Sequence, residues 1–211
     1  MNSHFLKLLG PWNNNELNNK KEFGASDIER YNKRNDMLKL HFNRFNNLEC
    51  YSKYLNLSRK YSVLDFSCGN GATMEIFRHF NNNVTGVDYR DNHLYKHYIE
   101  SQNLLKNYTE HDGKNIPYPF KNNQFDMTIC WGALYHYEAG PTDNSIKFID
   151  EFTRISTDLV VIALNSVKHR SQDMINKDRE FKNLLINYNN NNFKLLHELK
   201  GYIFILKSNN K

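Results

Sequence analysis

Residues Val63–Gly71, Val-Leu-Asp-Phe-Ser-Cys-Gly-Asn-Gly, restrict the fold of this chain more than any other stretch. An apolar run of strand character passes Asp65 and enters a glycine turn, and a helix-forming segment follows. A second apolar strand, Val84-Thr-Gly-Val-Asp88, lies about one helix later and also ends on a carboxylate. A strand–turn–helix–strand unit is the beginning of a parallel α/β sheet. With an acid at each strand end, the unit suits a nucleoside ligand bearing a cationic or amino tail. It does not suit a phosphate. A dinucleotide turn needs a third glycine, but Ala72, Thr73 and Met74 follow Gly71, and Asp65 would repel a pyrophosphate. The Gly-Lys-Ser/Thr of a P-loop is absent.

Asp65, Gly69, Gly71 and Asp88, in this order and spacing, resemble the class I S-adenosylmethionine (SAM)-dependent methyltransferases. The family pattern is Asp/Glu-x-Gly-x-Gly-x-Gly, and Ser67 replaces its first glycine. Serine lacks glycine's freedom at positive φ, so the turn is expected to pass Ser67 with ordinary dihedrals. Its hydroxyl has two readings, a bond to the SAM carboxylate or a cap on the following helix. A later stretch, His111-Asp-Gly-Lys-Asn-Ile-Pro-Tyr-Pro-Phe-Lys-Asn-Asn-Gln-Phe-Asp126, is similar to the family's acidic-Gly segment followed by Leu-Pro-Phe and Phe-Asp. The resemblance covers roughly 60–208. It implies a Rossmann-like α/β fold: a seven-stranded, mostly parallel sheet with an antiparallel C-terminal hairpin and helices on both faces.

The chain has 211 residues and reads as a single domain. Residues 1–58 are expected to form a polar arm and amphipathic helices, over about 27–56, that pack at the cofactor edge; 59–211 form the SAM-binding core. Strands are expected at 62–66, 84–88, near 107–111, at 125–131, 158–164, 193–199 and 202–208. Helices are expected at 71–80, 91–105, 143–155 and 171–188. Prolines 117 and 119 exclude a helix between the third and fourth strands. Lys200-Gly201 is too short a link for a parallel crossover, so the last two strands form a hairpin. Ile155-Ser-Thr-Asp158 stands where the family often carries a Lys-Pro-Gly-Gly turn.

The net charge of +5 is spread along the chain, unlike the concentrated stripe of a nucleic-acid binder. An RNA or protein acceptor is therefore the less favoured reading, and a non-catalytic SAM-binding partner subunit is another alternative. The three cysteines have no metal spacing and point to free thiols in a reducing cytoplasm. No apolar run reaches membrane-spanning length, and no metal is expected. A homodimer would complete a site whose acceptor loops are short.

Ligands of open α/β sheets sit beyond the carboxyl ends of the strands. That rule gathers Asp65, Ser67, Cys68, Gly69, Gly71, Asp88, Tyr89, Asp112, Gly113 and Trp131 around one crevice, which the resemblance implies is the SAM site. The resemblance implies that Asp65 takes the ammonium, Asp88 the ribose hydroxyls and Asp112 the adenine amino group, with Tyr89 on the adenine. Asp112 has a second reading as an Asx-turn into Gly113, and Tyr89 as an exposed aromatic after a strand. His136 is the candidate general base, since its ordinary pKa lies near neutrality; the alternative is a structural histidine. Tyr135, Tyr137 and Glu138 are candidates for contact with a small-molecule acceptor. Cys130 reads as a buried strand cysteine rather than a nucleophile.

Overall fold

The computed structural model describes residues 59–69, 71–79, 82–88, 105–134, 143–164, 172–190, 192–199 and 203–209. The expected N-terminal arm and helices, nearly all of the helix at 91–105, Tyr89, the 135–138 segment and the Lys200-Gly201 turn lie outside these residues. The elements run β1 Ser62–Phe66, α1 Ala72–His79, β2 Asn83–Asp88, a 3-10 turn Leu105–Asn107, β3 Tyr108–Glu110, β4 Phe125–Trp131, α2 Asp143–Ile155, β5 Ser156–Ala163, α3 Gln172–Ile186, β6 Phe193–Leu199 and β7 Ile203–Ser208.

The strands form one seven-stranded sheet in the order β3-β2-β1-β4-β5-β7-β6. β7 lies antiparallel between β5 and β6, and the other pairings are parallel. The chain steps one way from β1 to β2 and the other way from β4 to β5. Right-handed crossovers therefore put α1 and α2 on opposite faces, and the packing agrees. Leu64, Phe66, Cys130, Val160, Ile162, Phe204 and Leu206 form one cluster with Phe148, Ile149 and Phe152 of α2 and Phe181 and Leu185 of α3. The i, i+3, i+4, i+7 spacing of Ser145, Phe148, Ile149 and Phe152 gives α2 its buried face, and each buried aromatic or Ile contributes about 1.5–3 kcal/mol.

The opposite face carries Val63, Asp65, Gly86, Asp88, Ile129 and Trp131, with α1 over β1 and β2. Asp65 pairs in register with Gly86 on one side and Ile129 on the other. The approach of α1 requires glycine at 86. A Cβ there would lie 2.3 Å from Met74 Sδ and 2.8 Å from Cys68 Sγ.

The amino ends of the central strands are fastened by charge. Arg59 bridges Asp126 at 2.5 Å and Asp158 at 3.3 Å, and Lys207 also pairs with Asp158. One expectation changes here. The link Ile155–Asp158 is not a turn: α2 passes directly into β5, which starts at Ser156. The register shifts between Phe125↔Ser156 and Met127↔Leu159, so the extra residue forms a bulge. A buried bond from Ser156 Oγ to Thr128 Oγ1, 2.7 Å, holds that early start.

Gly86→Ala is expected to destabilise the protein by about 1–3 kcal/mol, because fully buried Met74 must be displaced. Denaturant unfolding checks this, and a wild-type midpoint would mean that α1 yields without strain.

Candidate active site

The strand order reverses between β1 and β4, which places the ligand crevice beyond their carboxyl ends. β1 leads there into a turn whose alternate residues have left-handed dihedrals: Ser67 φ 60°, Gly69 φ 53° and Gly71 φ 78°. Ser67 thus takes the very conformation that its lack of glycine freedom argued against. The turn is fixed from outside by β2. Cys68 N–H donates to Val87 O at 3.0 Å and Gly69 N–H to Asp88 Oδ2 at 2.8 Å, while Gly71 N–H closes onto Cys68 O at 2.9 Å. Those tethers leave position 67 no extended alternative. Beside the turn, Gly132 follows β4 at φ 66° and donates to Ala163 O at 2.6 Å.

Asp65 is 1% exposed, and its Oδ2 has no hydrogen-bond partner. Burial, and then the neighbouring Asp88 carboxylate, push its pKa well above the ordinary carboxylate value. The same surroundings raise the Cys68 thiol: burial first, then Asp65 and Asp88. The Cys68 sulfur faces the space at Gly86, so it serves packing, and its N–H is already engaged with β2. Cys130 is buried in β4, its thiol pushed up to about 12 by burial, which makes it a poor nucleophile. Trp131, 8% exposed, shares Asp65's face at the end of β4. A buried carboxylate with an open oxygen, a second acid alongside and small turn residues above fit a ligand with an ammonium tail. They do not fit an anion.

Farther along the same edge, Asp112 accepts from Lys114 N–H through Oδ1 at 3.0 Å, and Asn115 N–H reaches Asp112 O at 2.9 Å. The Asx-turn reading therefore describes one Asp112 oxygen, and Oδ2 has no hydrogen bond among the described residues. His111 N–H bonds Asp88 O at 2.9 Å, tying this turn to β2. The structure thus brings Asp65, Ser67, Cys68, Gly69, Gly71, Asp88, Asp112, Gly113 and Trp131 to one end of the sheet. Tyr89, Tyr135, His136, Tyr137 and Glu138 lie outside the described residues. Two surface cavities, of about 550 and 560 Å³, open instead at the amino ends of the strands, away from the acids.

Sequence reasoning passed over Gly86, Tyr118, Glu151 and Arg154. A glycine inside an apolar strand signals a close approach, and a Glu–Arg pair one helical turn apart signals a fork. Those two signals were available. The contacts of Tyr118 were not, since they depend on the path of an irregular segment.

Because folding raises the pKa of Asp65, the folded protein holds a proton that the unfolded chain has lost. Ligand-free stability is therefore full below the ordinary carboxylate range and falls as pH rises toward the raised value. Asp65→Asn is expected to remove that fall and to stabilise the ligand-free protein at neutral pH by about 1–2 kcal/mol. Unfolding midpoints across a pH series check it; a variant less stable than wild type at neutral pH would refute a cost of burying this acid unpaired. At Ser67 the usual order of alanine over glycine should invert. Ser67→Gly is expected to exceed Ser67→Ala in stability by about 1 kcal/mol, because only glycine is relaxed at φ 60°.

Comparison with known proteins agrees with this fold. Residues 64–162 match the model of a methyltransferase domain family. An uncharacterized protein of Methanocaldococcus jannaschii is 27% identical over 161 residues, which are 73% of this chain and 56% of that protein. The chain thus spans about half the length of the curated relative it matches. Among solved structures, a SAM-dependent methyltransferase of Aquifex aeolicus superposes with TM-score 0.54 at 14% identity, over 77% of this chain and 88% of that one. The bifunctional kinase–methyltransferase WbdD gives TM-score 0.58 at 16% identity, over 83% of this chain and 39% of that one. At these identities the likeness to the solved structures is one of fold. Residues 64–162 thus match a methyltransferase domain family, and the sheet shares its fold with solved SAM-dependent methyltransferases.

Proposed function

We propose that this chain moves the sulfonium methyl group of SAM to an oxygen or nitrogen of a small-molecule acceptor and releases S-adenosylhomocysteine. The observation that carries the reading is Asp65, a buried acid with an unpartnered oxygen and a second acid beside it, at the reversal point of the sheet. A buried carboxylate in that state is stabilised most by a cationic partner, and the α-ammonium of SAM is one.

The other roles follow from position. Asp88 already orients Gly69 and accepts from the ribose hydroxyls. Asp112 accepts from the adenine amino group through Oδ2, with Gly113 backbone beside it. The small residues of the 67–71 turn leave room for the methionine part, and Trp131 lines the pocket wall. Bound SAM supplies an activated methyl group. The chain's part is to align the acceptor in line with it, a contribution that positioning alone makes large. His136, a few residues past β4, takes the acceptor's proton, while Tyr135, Tyr137 and Glu138 line the acceptor side. The free, buried thiols Cys68 and Cys130 suit a reducing compartment, and we place the protein in the cytoplasm.

Calorimetric titration with SAM and S-adenosylhomocysteine tests the reading. One micromolar site per chain is expected, with binding lost in Asp88→Ala. His136→Ala is expected to bind SAM within about twofold of wild type and to lose turnover by about 10²-fold or more. Wild-type turnover in that variant would remove His136 from the role, and a folded wild-type protein that binds neither ligand would overturn the reading.

A further inference from the structure

The segment from His111 to Gln124 links the carboxyl end of β3 to the amino end of β4. It therefore runs the height of the sheet without regular structure, and its backbone groups must find other partners. Three of them meet one pair of side chains in α2. Arg154 Nε and Nη2 fork onto Glu151 Oε1 and Oε2 at 2.6 and 2.7 Å. The remaining donors go to the segment: Nη2 to Tyr118 O at 3.2 Å, Nη1 to Phe120 O at 2.9 Å and Nη1 to Asn122 Oδ1 at 2.9 Å. All five guanidinium N–H groups are thereby engaged. Glu151 Oε2 also accepts Tyr118 N–H at 2.8 Å. Burial raises the pKa of Glu151, but the bonds from Arg154 and Tyr118 N–H outweigh it and hold the carboxyl below its ordinary value.

Tyr118 is thus gripped at both its backbone groups. Its ring is confined as well, 4.6 Å from Phe66 and 5.7 Å from Phe152 between centroids, with His111 edge-on at 5.9 Å. From that socket the hydroxyl donates to Gly113 O at 3.2 Å. Gly113 adjoins Asp112, and His111 on the other side is closed onto Asn115 O at 2.9 Å.

We propose that Tyr118, seated by the Glu151–Arg154 fork, is a positioning residue for the adenine end of the SAM site, setting the Asp112–Gly113 turn through its hydroxyl. The inference rests on the SAM-binding reading above. It gives the hydroxyl a task that ring packing does not explain, since phenylalanine would fill the same space. The ring anchors the turn to the core, the hydroxyl sets its height, and the fork prevents the ring from sliding along the sheet.

The test is Tyr118→Phe, titrated with SAM and with 5′-methylthioadenosine, which keeps the adenosine part and lacks the amino-acid tail. Both ligands are expected to lose affinity by the same factor, about three- to tenfold, as for one hydrogen bond. Arg154→Lys, which keeps the charge but not the fork, is expected to weaken both ligands in parallel. The decisive readout is a double-mutant cycle with Asp112→Asn. If Tyr118 acts through the turn, its substitution costs little once the Asp112 contact is gone, and the two losses are not additive. Additive losses, unchanged affinity in Tyr118→Phe, or weakening of SAM alone would each overturn the proposal. A folded wild-type protein that binds neither ligand would instead overturn the SAM-binding reading beneath it.

Discussion

Two carboxylates held side by side at the buried ends of adjacent parallel strands govern the rest of this structure. Register alone brings them together. Asp65 stands opposite Gly86, and Asp88 lies two residues farther along the same face. On that face of β2 the residue before Asp88 is Gly86, which places no side chain beside Asp65. The arrangement opposes folding: burial and mutual repulsion both disfavour charge on Asp65. Asp88 is partly relieved, since Gly69 N–H bonds its Oδ2. Asp65 Oδ2 has no such relief. The asymmetry divides them: one acid shapes the turn, and the other keeps an oxygen without a hydrogen bond.

The turn inherits its strain from the same constraint. To bring an N–H onto Asp88 and another onto Val87 O, the chain must reverse tightly within a few residues, and left-handed dihedrals at alternate positions achieve it. Glycine meets this cheaply at 69 and 71. Serine at 67 meets it at a cost of roughly 1 kcal/mol, tolerated because the flanking bonds over-determine the path. The expectation of ordinary dihedrals failed for that reason. It weighed the residue's own preference and not the tethers placed on it by a strand twenty residues away.

The same distinction marks how far the sequence could be read. The order of the strands and of α1, α2 and α3, the terminal hairpin and the acids at the ends of β1 and β2 were legible, because apolar period and turn residues are local signals. The ends of the elements shifted where a distant bond intervened. β5 starts early because Ser156 reaches Thr128, and the link before it becomes a bulge and not a turn. The Glu151–Arg154 fork was half-visible as a spacing on one helix. Its partners, three backbone groups in a proline-bearing segment more than thirty residues away, were not.

The two ends of the proposed cofactor crevice are therefore built on different principles. At the proposed methionine end, rigid strands hold an acid whose ionisation is disfavoured by burial and by Asp88. At the proposed adenine end, Asp112 sits in a half-exposed turn that β2 holds at its entry, through His111 N–H on Asp88 O, and whose other backbone bonds are short-range. Tyr118 adds a second tether by joining the turn to the aromatic core formed by Phe66 and Phe152. Since Phe66 directly follows Asp65 on β1 and points to the opposite face, one strand supports both ends of the site, with the acid on one side and the socket for Tyr118 on the other. A change in β1 packing would therefore act on both, whereas a change in the fork would act on the adenine end alone.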